Sequence, residues 1–364
     1  MQGCLPERDL PRPDHHELRG VLSRATNARL TTRILKLSLP HYFDVLRHSP
    51  GGRRFEIVRK IERALAHPPP ATGRCFDIGE FKSFEQFEIK YRQLAEELGR
   101  PGKIPAPGEL DFLHAMVDLD DVRYPGGIGS RDYFFLTALV SILAPRRVIE
   151  IGTLTGFSAA IIAAAIHRQH GSVIPSEVEG PRGASEITVE TIDAQTQCII
   201  DETRPIGFEI PNLIPDLAST VRIHTGRESD YVRELAARDE FGLAFIDADH
   251  RHPWPLLDVL RLAPYVQSGG WILLHDIQLG TYGRELQAAG KSLESGTPYG
   301  AEWLFDRWPF RKIRSFHIGA IELPSRKDAL IPFALSLMDE PFELTGKAAS
   351  RIRRAVYESF AELV

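Results

Sequence analysis

The chain has 364 residues, 43% of them hydrophobic and 26% charged, which is the composition of a folded globular protein and excludes general disorder. Its net charge of -5 leaves no overall basic excess with which to neutralise a phosphate backbone, so no nucleic-acid partner is expected. No apolar run is long enough to cross a bilayer and the N-terminus lacks an apolar signal core, so no membrane partner is expected either. The three cysteines, Cys4, Cys75 and Cys198, show no C-x-x-C spacing and suit a reducing, cytoplasmic compartment.

In chain order, residues 1–25 are proline-rich, without hydrophobic period, and are expected to be disordered. Residues 26–120 carry three helical patterns, "LTTRILKLSLPHYFDVLRH", "RRFEIVRKIERALAH" and "SFEQFEIKYRQLAEELG", separated by "HPPPATG" and "GRPGKIPAPGE". In the third, Phe84, Phe87, Tyr91, Leu94 and Leu98 share a face, Ser83 is placed as N-cap and Gly99 as the stop. This region is expected to be a helical cap or a dimerisation element, which allows a homodimer.

From residue 121 to 323 the texture changes. A helix ("SRDYFFLTALVSILAP") leads into a strand ("RRVIEIG") and a second helix ("GFSAAIIAAAIHRQ"). Strands at "ITVETIDA", "TVRIHTG" and "FGLAFIDAD" follow, then a helix ("PLLDVLRLAPYV"), a strand ("GGWILLHDI") and two closing strands within "KIRSFHIGAIELP". Near-continuous apolar strands alternating with helices predict an α/β fold, a doubly wound and mostly parallel sheet covered on both faces. Residues 170–186, polar and rich in breakers, read as an exposed loop insertion, similar to the translated remnant of a bacterial repeat element. Residues 324–364 carry two C-terminal helical patterns, the second with a basic solvated face. Trp303, Phe305, Trp308 and Phe310 suit either the core or the wall of an acceptor pocket.

Ligands of such sheets bind at the carboxyl ends of the strands. There the sequence places Glu150 and Gly152, Asp193, Gly226, Asp247 with Asp249 and His250, and His275 with Asp276. The turn "GTLTGFS" is no dinucleotide loop, since Leu154 stands where the second glycine would be. It is no P-loop either, since Phe157 and Ser158 follow Gly156 in place of a lysine. The turn suits an uncharged or zwitterionic ligand, with Asp193 placed to accept hydrogen bonds from a ribose diol.

In order and approximate spacing, "VIEIGTLTGFSA", "TIDA", "FIDADH" and "GGWILLHD" resemble the motifs of class I S-adenosylmethionine-dependent methyltransferases. The resemblance covers about residues 122–323 and is nearest to small-molecule O-methyltransferases of the catechol and caffeoyl-CoA type and of the macrocin and mycinamicin type. It implies a Rossmann-like, seven-stranded sheet and a cytoplasmic bacterial enzyme that methylates a hydroxyl of a small-molecule acceptor. It further implies that Glu150, Gly152, Thr153, Thr155 and Gly156 line the methionine and ribose part of S-adenosyl-L-methionine, that Asp193 holds the ribose, and that Gly226 and Arg227 lie near the adenine. Asp247 borders the same cofactor and, with His275 and Asp276, would hold a divalent metal (Mg or Mn), while His250 would be the base. His275 departs from the oxygen ligands that magnesium prefers and suits a softer ion, a second base or a substrate contact. A metal-independent N- or C-methyltransferase, and a non-catalytic S-adenosylmethionine-binding module, remain alternatives.

Overall fold

The computed structural model describes residues 41–45, 47–49, 52–69, 73–106, 108–116, 128–129, 131–171, 187–291 and 298–363. The expected disorder of residues 1–25 and nearly all of the insertion at 170–186 lie outside the described residues, as does most of the first helical pattern.

Among the described residues, the helices of eight residues or more are α1 (Arg54–Ala66), α2 (Glu85–Glu97), α3 (Glu109–Met116), α4 (Asp132–Leu143) and α5 (Phe157–His170) before the middle of the sheet. After it come α6 (Trp254–Leu262), α7 (Leu279–Ala288), α8 (Gly300–Arg307), α9 (Leu330–Met338) and α10 (Gly346–Phe360). The strands are β1 (Cys75–Asp77), β2 (Arg147–Ile151), β3 (Thr188–Asp193), β4 (Gln197–Cys198), β5 (Asp201–Pro205), β6 (Val221–Thr225), β7 (Phe241–Ile246), β8 (Val266–Leu274), β9 (Lys312–Ser315) and β10 (Ile318–Glu322).

The main sheet runs β6-β3-β2-β7-β8-β10-β9-β1. Strand β10 is antiparallel to both neighbours and every other adjacent pair is parallel. The seven strands expected from the sequence are all present, and β1 adds an eighth, paired in parallel with β9. That strand escapes the hydrophobic pattern because "CFD" is three residues long with only Phe76 apolar. The short ribbon β4-β5 stands apart from the main sheet.

Side chains alternate across the pleat. Ile149, Ile151, Ile192, Ala244, Ile246, Ile272 and Leu274 face one core with α1, α6, α9 and α10. Val148, Val189, Leu243, Phe245, Trp271 and Leu273 face the other with α2, α4 and α5. Helix α4 is buried on nearly every side, because α2 and α5 cover what the sheet does not. Helix α2 begins at Glu85 with Phe84 as N-cap, one residue later than Ser83 predicts. It ends as expected at Gly99, whose φ of +70° lets Gly99 N–H reach Glu96 O and Arg100 N–H reach Ala95 O in a Schellman motif.

Register decides the rest. Ile151 is level with Ile192 on one side and Ile246 on the other, and Ile246 is level with Leu274. The next residues, Gly152, Asp193, Asp247 and His275, therefore emerge side by side at one rim. The ladder continues into them: Gly152 N–H donates to Ile192 O, Asp247 N–H to Ile151 O and His275 N–H to Ile246 O. After β2 the chain winds outward to β3 and β6, then returns to the other side of β2 as β7, which makes the crevice between β2 and β7 a topological switch point.

Candidate active site

A cavity of about 530 Å³ opens at that switch point. Its wall includes Gly152, Thr153, Leu154 and Thr155 of the turn after β2, with Asp193, Arg227, Asp247 and His250 from the neighbouring strand ends. Ile128, Tyr133, Phe157 and Trp254 supply apolar surface.

The turn is shaped by two backbone constraints. Gly152 has φ +94°, and a Cβ there would lie 1.9 Å from the Asp247 carbonyl oxygen, so the ends of β2 and β7 approach this closely only through glycine. Leu154 occupies the left-handed region at φ +48°, a cost of about 1 kcal/mol for a residue with a Cβ. Asp193 offsets it: Oδ2 accepts the N–H groups of Thr153 (3.0 Å) and Leu154 (3.1 Å), while Oδ1 accepts that of Gln195 (2.8 Å). A carboxylate has about four acceptor positions, so capacity for a ligand hydroxyl remains.

Three residues that the resemblance places around the cofactor lie off the wall. Glu150 is fully buried, and its carboxyl is turned into the core by Ser158 Oγ (2.5 Å) and Thr191 Oγ1 (2.6 Å), which both donate to it. Burial, outweighing those two hydrogen bonds, pushes its pKa up to about 8. Gly156 starts α5 at φ +87°, with a notional Cβ 2.5 Å from Ile210 Cγ1, and so shapes the turn from behind. Gly226, at φ +66°, ends β6 and donates to Gln195 O, leaving Arg227 to reach the wall.

The strand-end acids and histidines converge. His275 Nδ1 lies 3.1 Å from Asp247 Oδ1 and 3.6 Å from Asp276 Oδ1. His250 Nε2 lies 3.2 Å from Asp276 Oδ2 and 3.6 Å from Asp247 Oδ1. Asp247, His250 and His275 each offer a donor atom within 4.8 Å of the other two. Of this cluster His250 and Asp247 line the cavity wall, and His275 and Asp276 do not. Burial disfavours charge on His275, but Asp247, Asp276 and Asp132 outweigh it and hold its pKa well above the ordinary imidazole range. Burial likewise opposes charge on Asp247, and His275 and His250 outweigh it and hold that carboxyl low.

Asp132 is the member the motifs do not show. It comes from α4, and its Oδ2 lies 3.4 Å from His275 Nε2. The available signal is a lone carboxylate at the start of a helix that is otherwise apolar on all sides. Among the four aromatics near the sheet edge, Phe305 and Trp308 are core residues, and Trp303 packs on Tyr299 and His252.

Residues 149–277 match the model of a family described as a methyltransferase domain. The switch-point cavity in a Rossmann-like sheet and this match define a class I methyltransferase domain. Residues 149–277 thus carry a methyltransferase domain. No curated protein matches the chain. Among solved structures it is similar to cofactor-bound Rv0187 from MTB, at 23% identity over 54% of this chain and 75% of that one, with a TM-score of 0.33. It is also similar to the O-methyltransferase TomG from Streptomyces achromogenes in complex with SAM, at 16% identity, 59% and 82% coverage and a TM-score of 0.32. The O-methyltransferase from Bacillus cereus in complex with SAH shows 20% identity, 54% and 76% coverage and a TM-score of 0.29. Among the described residues no helix is long and apolar enough to cross a membrane.

Proposed function

We propose that this enzyme transfers the methyl group of S-adenosylmethionine to a hydroxyl of a small molecule. The observation that carries the reading is His250 on the cavity wall that also holds the Gly152 turn, with its Nε2 directed at Asp276 and Asp247. Donating Nε2–H to those carboxylates leaves Nδ1 as the proton acceptor. The acceptor oxygen attacks the methyl carbon in line, the carbon–sulfur pair returns to sulfur as the thioether, and the hydroxyl proton passes to His250. Most of the acceleration then comes from alignment within a closed cavity. Asp193 and Arg227 hold the nucleoside end, and Tyr133 and Trp254 bound the space available to the acceptor.

The donor set also fits a divalent cation. His275 Nδ1 lies 3.1 Å from Asp247 Oδ1, within the roughly 3.0–3.4 Å expected between neighbouring ligands with bonds near 2.1 Å, and 3.6 Å from Asp276 Oδ1, while His250 also offers a donor atom within 4.8 Å of those of Asp247 and His275. When bound, such an ion supplies Lewis acidity that lowers the acceptor hydroxyl's pKa. A metal-independent centre is the second reading, favoured by the two carboxylates that flank His275 and can balance its charge unaided.

Calorimetric titration with S-adenosylhomocysteine, after chelation and again with a divalent ion restored, tests both readings. Binding that fails under every condition would sink the cofactor assignment, and methyl transfer confined to amine acceptors would sink hydroxyl methylation. Cys75 and Cys198 are both free, which suits the cytoplasmic setting proposed here.

A further inference from the structure

His275 is 6% exposed and Asp132 5%, so their contact is sealed from solvent. Nε2 faces Asp132 at 3.4 Å, whereas Nδ1 faces the space shared by Asp247 and Asp276 at 3.1 and 3.6 Å. A neutral imidazole has one N–H and one lone pair. With a cation in that space Nδ1 gives up its proton, and the buried Asp132 carboxylate keeps the remaining N–H on Nε2 and directs the Nδ1 lone pair toward the cluster. Proteins orient metal-bound histidines through carboxylates in this way.

We infer that Asp132 is a positioning residue that holds His275 as an Nδ1 donor, and that the centre therefore takes a borderline transition ion in preference to Mg²⁺. The inference rests on the reading above that Asp247, His275 and Asp276 hold a divalent cation. Mg²⁺ prefers six oxygens in near-octahedral geometry, and here one protein position is nitrogen. Mn²⁺, Fe²⁺, Co²⁺ and Zn²⁺ accept imidazole, with affinity rising from Mn²⁺ to Co²⁺. Asp132→Asn removes the charge, and its amide can donate to Nε2 as readily as accept, which releases the tautomer.

The test is calorimetric titration of the chelated full chain with Mg²⁺ and with Co²⁺, in wild type and Asp132→Asn, with S-adenosylhomocysteine affinity as the control for folding. Co²⁺ is expected to bind at least about 10-fold more tightly than Mg²⁺, and Asp132→Asn to weaken Co²⁺ by about 10- to 100-fold. In the Co²⁺-loaded wild type, proton NMR should show a hyperfine-shifted imidazole N–H that exchanges slowly, the proton held by Asp132. Equal affinity for the two ions, undiminished Co²⁺ binding in a folded Asp132→Asn, or the absence of that protected N–H would each overturn the inference. The N–H measurement needs no variant and decides the matter even where Asp132→Asn does not fold. Failure to bind any divalent ion, with S-adenosylhomocysteine binding intact, would remove the cation reading and this inference together and leave the methyltransferase assignment standing.

Discussion

The carboxylate of Asp193 closes on the backbone N–H of Thr153 at 3.0 Å, tying the end of β3 to the turn that follows β2 across 40 residues of sequence. The same oxygen accepts Leu154 N–H at a residue held in the left-handed region. Asp193 thus builds the turn after β2 as well as facing the cavity. Asp193→Ala leaves these part-buried donors without their acceptor and should cost about 1 kcal/mol of stability. It should also lower S-adenosylhomocysteine affinity by more than about tenfold, seen by calorimetry beside a denaturant melt. Unchanged affinity would show that neither the turn nor the diol contact matters.

Removing His250, the proposed proton acceptor, separates chemistry from binding. His250→Gln keeps a polar side chain near Asp276 and lacks the basic nitrogen, so kcat for a hydroxyl acceptor should fall by about 10²–10⁴. S-adenosylhomocysteine affinity should stay within about twofold. A variant that retains wild-type kcat would assign the proton transfer elsewhere.

Glu150 makes stability depend on pH. Its folded pKa of about 8 lies above the ordinary 4.5, so the native state binds the proton more tightly than the unfolded chain does. The contribution is fully present below about pH 4.5 and is lost as pH rises toward 8, at roughly 1 kcal/mol per unit. Glu150→Gln, neutral throughout, should flatten this part of the profile. Urea melts of both proteins at several pH values in that window check it, and parallel profiles would contradict the burial argument.

Two glycines with similar φ should respond differently to a methyl group. Gly152→Ala sets a Cβ against the Asp247 carbonyl and should cost about 3 kcal/mol or prevent folding. Gly269, at φ +70° with open space around it, should lose only about 1 kcal/mol on the same change. Comparable losses in thermal melts would mean that the β2–β7 approach is looser than its geometry indicates.

The alternation of apolar strands with helices, and the polar residues ending each strand, were legible because hydrophobic period and motif order are local in sequence. Glu150 was legible as a strand-end acid, but not the direction of its side chain. That direction follows from the pleat, which puts Glu150 on the face where Ser158 of α5 and Thr191 of β3 can donate to it. Strand β1 was hidden for a related reason: three residues with one apolar side chain become a strand only once β9 offers an edge to pair with.

By itself, then, the sequence determined the layers and the strand ends that would carry Gly152, Asp193, Asp247 and His275, since these follow from period and spacing along one chain, whereas the switch point follows from the strand order. Tertiary structure alone decided which of the rim residues reach the cavity and which turn inward. It alone brought Asp132 of α4 to His275, 143 residues away, because burial and the packing of a helix against strand ends set that contact, and no local pattern records it.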